Sequence, residues 1–310
     1  ATTFTRTLTN KGSTPVTLNA TASLAGFTVA VSPAQLTLAP GASQSYTVTA
    51  TPTTAPANVY VFGNVTWTDG ATQNLRSPLT VRYSQFTGVA SITDTRPIGT
   101  RVWTVATGFS GPMQVTPTGM VPATRTNVAV STTGPSEVCA ADFVVPAGAK
   151  AVRAQMFNSE TQNGAATDID LYLYRVTGTT RTLVGGSESA TTDELVSVAN
   201  PTAGTYRACA VAFAPAGQLR SSVINTWVVT SGATSLRSFG ASNAVSGGTA
   251  SIGVAWNVAP GARYLGVVEV RNPPNAAVLG STQIFIDASA PAAAATAVPI
   301  IEGVGVKAQR

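Results

Sequence analysis

Asp168 and Asp170 open the run DIDLYLYRV, and among the side chains of this chain they are the best placed to do chemistry. The run alternates strictly. Ile169, Leu171 and Leu173 face one way and Asp170, Tyr172 and Tyr174 the other, the pattern of a half-buried strand. Carboxylates at the mouth of such a strand offer hard oxygen ligands. Glu188 and Asp193, in the turn-rich segment VGGSESATTDELVSVANPTAG that follows, would complete a rim of the kind that holds calcium. No EF-hand or nonapeptide spacing accompanies them, and the same carboxylates serve equally well to solvate a sheet edge or to cap turns. Side by side on one strand face, Asp168 and Asp170 are poorly arranged to flank a glycosidic bond. Tyr172 and Tyr174 share a face that suits a carbohydrate or an unfolded peptide, or else a contact inside or between domains.

Other catalytic chemistry is narrowed by what the sequence omits. It contains no histidine, so neither a Ser-His-Asp triad nor a histidine-based zinc site can be built. No serine stands three residues before Lys11, Lys150 or Lys307, which removes the simplest Ser-Lys dyad. Cys139 and Cys209 each lie in a strand-like setting, SEVCAADFVV and YRACAVAF. In an oxidising compartment they pair, worth about 4 kcal/mol in the chain-entropy picture; otherwise they are two buried thiols.

The elements that must position these residues are short strands. Charged residues make up 10% of the chain against about 25% in an ordinary soluble protein, and 28 glycines and 19 prolines punctuate runs with no helical period. Threonine, serine, valine and alanine fill the rest, an all-β composition with an extracellular look. The net charge is +5, yet the basic residues are scattered singly from Arg6 to Arg310, which speaks against a nucleic-acid surface. Eight of the 13 acidic residues fall between Glu137 and Glu194, so the middle of the chain is locally acidic. The most apolar tract, Ala288 to Ile301, is broken by prolines and too short to span a membrane. The chain opens on Ala1 without an initiator methionine or signal peptide, as expected of a piece of something longer.

Seven alternating runs occupy residues 1–84, separated by turns such as NKGSTP, APGAS and TDGAT. RTLTN (Arg6 to Asn10), VSPAQLTLAPGAS (Val31 to Ser43), GNVTWTDG (Gly63 to Gly70) and RSPLTV (Arg76 to Val81) resemble the fibronectin-III-like domain that follows the catalytic domain of many secreted subtilisin-like proteases. DIDLYLYRV, the acidic loop after it and GTYRACAVAF (Gly204 to Phe213) resemble the bacterial pre-peptidase C-terminal domain, a small jelly-roll sandwich. The string GARYLGVVE (Gly261 to Glu269) is similar to the terminal domain of the same proteases. The family's nucleophile motif, glycine-threonine-serine-methionine, is missing, so none of its catalytic residues carries over.

The resemblance implies three tandem β-sandwiches: residues 1–84, 85–229 and a smaller unit at 230–289, with an alanine-rich linker and terminal strand at 290–310. It implies a non-catalytic region of a secreted bacterial protease, with an upstream subtilisin-like catalytic domain as its partner. Its expected roles are spacing, docking to substrate or surface, and stabilisation. A second reading is a structural subunit of an extracellular filament that self-associates by strand addition. Ile300, Ile301, Val304 and Val306 lie in the tail that would donate the strand, to its own chain or to a neighbouring copy.

Overall fold

β-Branched and small residues alternate along nearly every run of the chain, and such sequences fit a pleated, half-buried surface. The computed structural model describes residues 1–230, 235–272 and 278–289, and the architecture there is all-β. The expected strand-donating tail with Ile300, Ile301, Val304 and Val306, and the linker from residue 290, lie outside the described residues.

All seven runs expected in the first segment form strands: β1 (Thr2–Thr9), β2 (Val16–Leu24), β3 (Phe27–Ser32), β4 (Gln35–Leu38), β5 (Ser43–Pro52), β6 (Tyr60–Thr68) and β7 (Asn74–Arg82). They make two antiparallel sheets, β1-β5-β3 and β4-β2-β6-β7. Leu18, Leu36, Val48, Val65, Trp67 and Leu79 fill the space between them, and Tyr46 meets Trp67 edge-on with ring centroids 4.9 Å apart. The solvent face of β1 and β5 carries hydroxyl pairs across the strands, Thr7 to Ser45 at 3.0 Å and Thr9 to Ser43 at 2.8 Å.

Five strands follow: β8 (Phe86–Thr87), β9 (Ser91–Asp94), β10 (Ile98–Thr107), β11 (Gly111–Pro112) and β12 (Gln114–Pro122). Nine more, β13 (Thr124–Val130), β14 (Glu137–Cys139), β15 (Phe143–Val145), β16 (Ala151–Met156), β17 (Asp168–Thr177), β18 (Thr180–Ser187), β19 (Glu194–Ala199), β20 (Gly204–Ala214) and β21 (Arg220–Val229), build the acidic middle of the chain. The described chain closes with β22 (Leu236–Gly240), β23 (Asn243–Ala244), β24 (Gly248–Asn257), β25 (Arg263–Arg271) and β26 (Val278–Asp287).

The pairing of these strands divides the chain beyond residue 84 differently from the expected spans 85–229 and 230–289. β8 to β12 do not join the sheets of the acidic segment. β10 pairs with β24 over ten positions from Ile98 opposite Asn257 to Thr107 opposite Gly248, and β12 pairs with β25. The resulting sheets are β22-β24-β10-β8 and β12-β25-β26-β9, with β9 parallel to β26. Residues 124–229 form their own sandwich, β13-β21-β16-β19 against β14-β20-β17-β18, with β15 also on β20. The sequence places the strands of the split sandwich far apart along the chain, and alternation says that a run is a strand without saying which strand it joins.

Where the two sandwiches meet, Trp227 and Val229 pack against Leu265, Val267 and Phe285. Phe157 stacks on Phe285 at 6.2 Å and Trp227 meets the same ring edge-on at 5.7 Å. Arg263, 5% exposed, reaches Glu160 at 2.6 Å and Asp287 at 2.9 Å, and Lys150 reaches the buried Glu269 at 3.0 Å. Arg153 lies 4.2 Å from the Phe285 centroid, and burial lowers its pKa to about 10.

β9 is held at its end by a charge. The Asp94 carboxylate accepts the Arg96 Nη2–H at 2.8 Å and sits 2.9 Å from Arg101 Nε. The hydrogen bond from Arg96, with the charge of both arginines, keeps this acid well below its ordinary value of 3.8. A depressed carboxylate stabilises the fold fully above its unfolded pKa and loses that contribution as pH falls toward its folded value. Asp94→Asn should therefore lower stability by about 2 kcal/mol at pH 7, the size of a charged hydrogen bond lost at a buried oxygen. Thermal melts of both proteins should converge as pH drops below about 4; a constant gap across pH 3–7 would remove the charge from this account.

Candidate functional site

The acidic sandwich presents one sheet face that gathers most of the residues singled out above. β17 runs through the middle of its sheet between β20 and β18. Ile169, Leu171 and Leu173 are at most 1% exposed and form the inner face. The opposite face therefore turns Asp170, Tyr172 and Tyr174 outward, as the alternation requires. Across it, Asp170 lies opposite Val211, Tyr172 opposite Cys209 and Tyr174 opposite Arg207.

At one end of this face Asp168, Asp170, Glu188, Ser189 and Phe213 line a cleft of about 300 Å³. Asp170 is 8% exposed, and among the described residues no donor reaches it; one oxygen of Asp168, Oδ1, is buried without a hydrogen-bond partner there. Loss of water, with the nearby charges of Asp168, Glu194 and Glu188, raises Asp170 to about 6. Desolvation, with Glu194, raises Asp168 as well. Glu188 accepts the Tyr172 hydroxyl at 2.7 Å, and that bond pushes the phenol up to about 12.

Three of the four expected rim carboxylates thus come together, and the fourth does not. Asp193 turns to the other side of its loop, where it accepts the Asn158 backbone N–H at 2.7 Å and the Asn158 side-chain amide at 2.8 Å. Its place near the rim is taken by Glu194. This residue is fully buried and accepts the Ser189 N–H at 2.7 Å, the Ser189 hydroxyl at 2.6 Å and the Ser187 hydroxyl. The signal for it was present in DELVSV: Val196 and Val198 put Glu194 on the inward phase, whereas Leu195 draws the eye and is 44% exposed. The donor set is hard oxygen, and the unpartnered Asp168 Oδ1 beside the Asp170 carboxylate fits a divalent cation chemically. Among the described residues, however, no three of these carboxylates bring ligand atoms within 4.8 Å of one another.

The rest of the face is aromatic and cross-linked. Tyr172 and Tyr174 stack with centroids 6.3 Å apart, and the Arg181 guanidinium covers Tyr174 at 4.8 Å. Cys139 and Cys209, directly opposite each other on β14 and β20, form a disulfide. Arg181 donates to both Glu137 oxygens at 3.0 Å and lies 3.7 Å from the Cys209 sulfur. Glu137 and the two sulfurs are close enough to suggest a metal cluster. Sulfurs bonded to each other are not thiolate ligands, so this group is a clamp on the edge strand β14.

These features describe β-sandwich modules carrying a polar and aromatic surface. Residues 1–81 match the family model of the fibronectin type-III domain, and residues 121–210 match that of the bacterial pre-peptidase C-terminal domain. No curated protein matches the chain. Among solved structures, it is similar to the secreted serine protease VesC from Vibrio cholerae, at 13% identity and a TM-score of 0.22, over 73% of this chain and 46% of that one. It is also similar to tripeptidyl peptidase 2, at 12% identity and a TM-score of 0.21, over 84% of this chain and 23% of that one. The chain therefore spans less than half the length of either protein.

The disulfide closes a sequence separation of 70 residues. Replacing both cysteines by serine should cost about 4 kcal/mol by the loop-entropy relation. Iodoacetamide should label neither sulfur of the folded, unreduced chain by mass spectrometry. Double labelling without reductant would contradict the bond.

Proposed function

We propose that this chain is the non-catalytic accessory region of a secreted bacterial subtilisin-like serine endopeptidase, acting as spacer, docking surface and stabiliser for a catalytic domain outside it. The observation that carries the reading is the junction of its modules. The pre-peptidase C-terminal sandwich is seated on its neighbour by the Trp227–Phe285 contact and the buried Arg263–Glu160–Asp287 ion pairs. An interface of that kind makes a stiff spacer rather than beads on a string. In this division residues 2–82 are one module, 86–122 with 236–287 a second, and 124–229 a third carried between two strands of the second.

Two matched modules of non-catalytic type, a disulfide and the absence of histidine support the accessory reading and an oxidising, extracellular location. Among the described residues no helix is long and apolar enough to cross a membrane. The Tyr172–Tyr174 stack provides the docking surface, offering flat, half-exposed rings to a sugar or an extended peptide. Removing residues 1–310 from the secreted parent should leave hydrolysis of a small chromogenic peptide intact and reduce turnover of an insoluble protein at least several-fold. Equal loss on both substrates, or loss on neither, would remove the docking role. The chain alone should not hydrolyse casein; turnover that survives serine-protease inhibitors would defeat the accessory reading.

The acidic cleft serves this surface as a calcium site. Asp168, Asp170 and Glu188 would hold the ion, drawn together by its charge, and the like charges that now raise Asp170 would be neutralised. Bound calcium stabilises by mass action, so millimolar calcium should raise the melting temperature relative to EDTA, and Asp170→Asn should abolish the difference. Identical melts of the unmodified chain in calcium and EDTA would leave the carboxylates as surface groups only.

A further inference from the structure

The fibronectin type-III domain holds a second polar site, remote from the acidic rim in sequence and unlike it in charge. β1 and β7 are the outer strands of the two sheets, and among the described residues each is paired on one side only. An open cleft of about 460 Å³ lies between them, with Arg6 and Leu8 on one wall, Leu75 and Ser77 on the other, and Tyr46 and Trp67 beneath. Arg6 points inward. Phe4, Arg6 and Leu8 are partly buried while Thr5, Thr7 and Thr9 are exposed, and Arg6 stands directly opposite Tyr46.

The polar groups here are rich in donors, and one of them is buried without an acceptor. Trp67 is 0% exposed and its Nε1–H has no hydrogen-bond partner. Tyr46, 2% exposed as a whole, also lines the cleft, and its hydroxyl can donate there. Arg6 donates to the Ser77 hydroxyl and to the Pro78 carbonyl at 3.0 Å, which uses two of its five N–H groups. Among the described residues no carboxylate answers this charge. The single acid of residues 1–84 is Asp69, and its Oδ1 accepts the N–H groups of Ala71, Thr72 and Gln73, which holds it down to about 2. Buried donors left without acceptors are costly, as is a half-buried cation without a counter-charge.

We propose that this cleft binds a carboxylate carried on an extended peptide segment. Trp67, Tyr46 and Arg6 supply the donors for the acid group. The free edges of β1 and β7 supply unpaired main-chain groups on which an extended segment can add as a strand. An inward arginine on an outer strand also guards that edge against unwanted pairing. Guarding accounts for Arg6 alone; it leaves the orphaned indole N–H of Trp67 without a role.

The test is a titration of the full chain, labelled with 15N, with sodium acetate and with sodium chloride at equal ionic strength. The Trp67 indole N–H is followed by NMR and identified by its proximity to Tyr46. Acetate should move this resonance downfield with saturation, and chloride should not. Tyr46→Phe keeps the ring and removes only the hydroxyl; this variant and Arg6→Gln should each weaken acetate binding about tenfold, the size of one charged hydrogen bond. N-acetyl-triglycine with a free C-terminal carboxylate and N-acetyl-Gly-Asp-Gly-amide then separate a chain end from an acidic side chain as the source. Whichever presents the right acid should bind more tightly than acetate. Peptides no tighter than acetate would overturn the strand-addition half of the proposal. No saturable shift with any of the three probes, or a shift unaffected by both substitutions, would overturn the site and leave Arg6 as an edge guard.

Discussion

The pairing of β10 with β24 is the constraint on which the rest of the molecule depends. Ile98 lies opposite Asn257 and Thr107 opposite Gly248, and the whole acidic sandwich is contained in the chain between these strands. Closing so long a loop has an entropic cost that grows only slowly with length, and ten consecutive ladder positions with Trp256, Val254 and Ile252 buried beneath them offset it. Once the ladder is made, β12 and β22 hold the two ends of the insert, whose orientation is then decided by what its base can bury.

That base is built around one aromatic ring. Phe285 receives the Trp227 edge, the Phe157 face and the Arg153 guanidinium, while Arg263 spans Glu160 of the insert and Asp287 of its host. Buried ion pairs are weak evidence for stability, because desolvation consumes much of their attraction. Their value here is geometric. They fix one seating of the insert among the many that an apolar contact alone would allow, so the tyrosine and acidic face is held in one direction.

The two polar surfaces differ in sign and in kind. The rim at Asp168 and Asp170 is a set of acceptors, with Asp170 raised to about 6 by burial and by neighbouring charge. The cleft at Trp67 is donor-rich, with a buried indole N–H lacking an acceptor beside the Arg6 guanidinium. Each lies where a sandwich is open: the first at the end of β17 beside a loop, the second along the seam between two outer strands. The interior of a β-sandwich satisfies its main chain through its ladders, so unpaired polar groups collect at ends and seams.

Much was legible without coordinates. Alternation gave all seven strands of the first domain and the inner and outer faces of β17, because a period of two follows from strand geometry and needs no partner. The pairing of Cys139 with Cys209 followed from their being the two cysteines of a chain with a secreted-type composition. Partner choice was not legible. Residues 86–122 look locally like the strands that follow them, yet they join strands beyond residue 235, because hydrogen-bond ladders form between segments that fit in space and carry no local mark of which segment that is. The same limit applied to single residues. Asp193 and Glu194 are adjacent acids in one loop, and strand phase alone decides that the first caps Asn158 while the second is buried beside the rim. Sequence determined the elements and their faces through local sterics and burial; only the tertiary structure decided which elements pair, because that choice rests on packing between residues far apart in the chain.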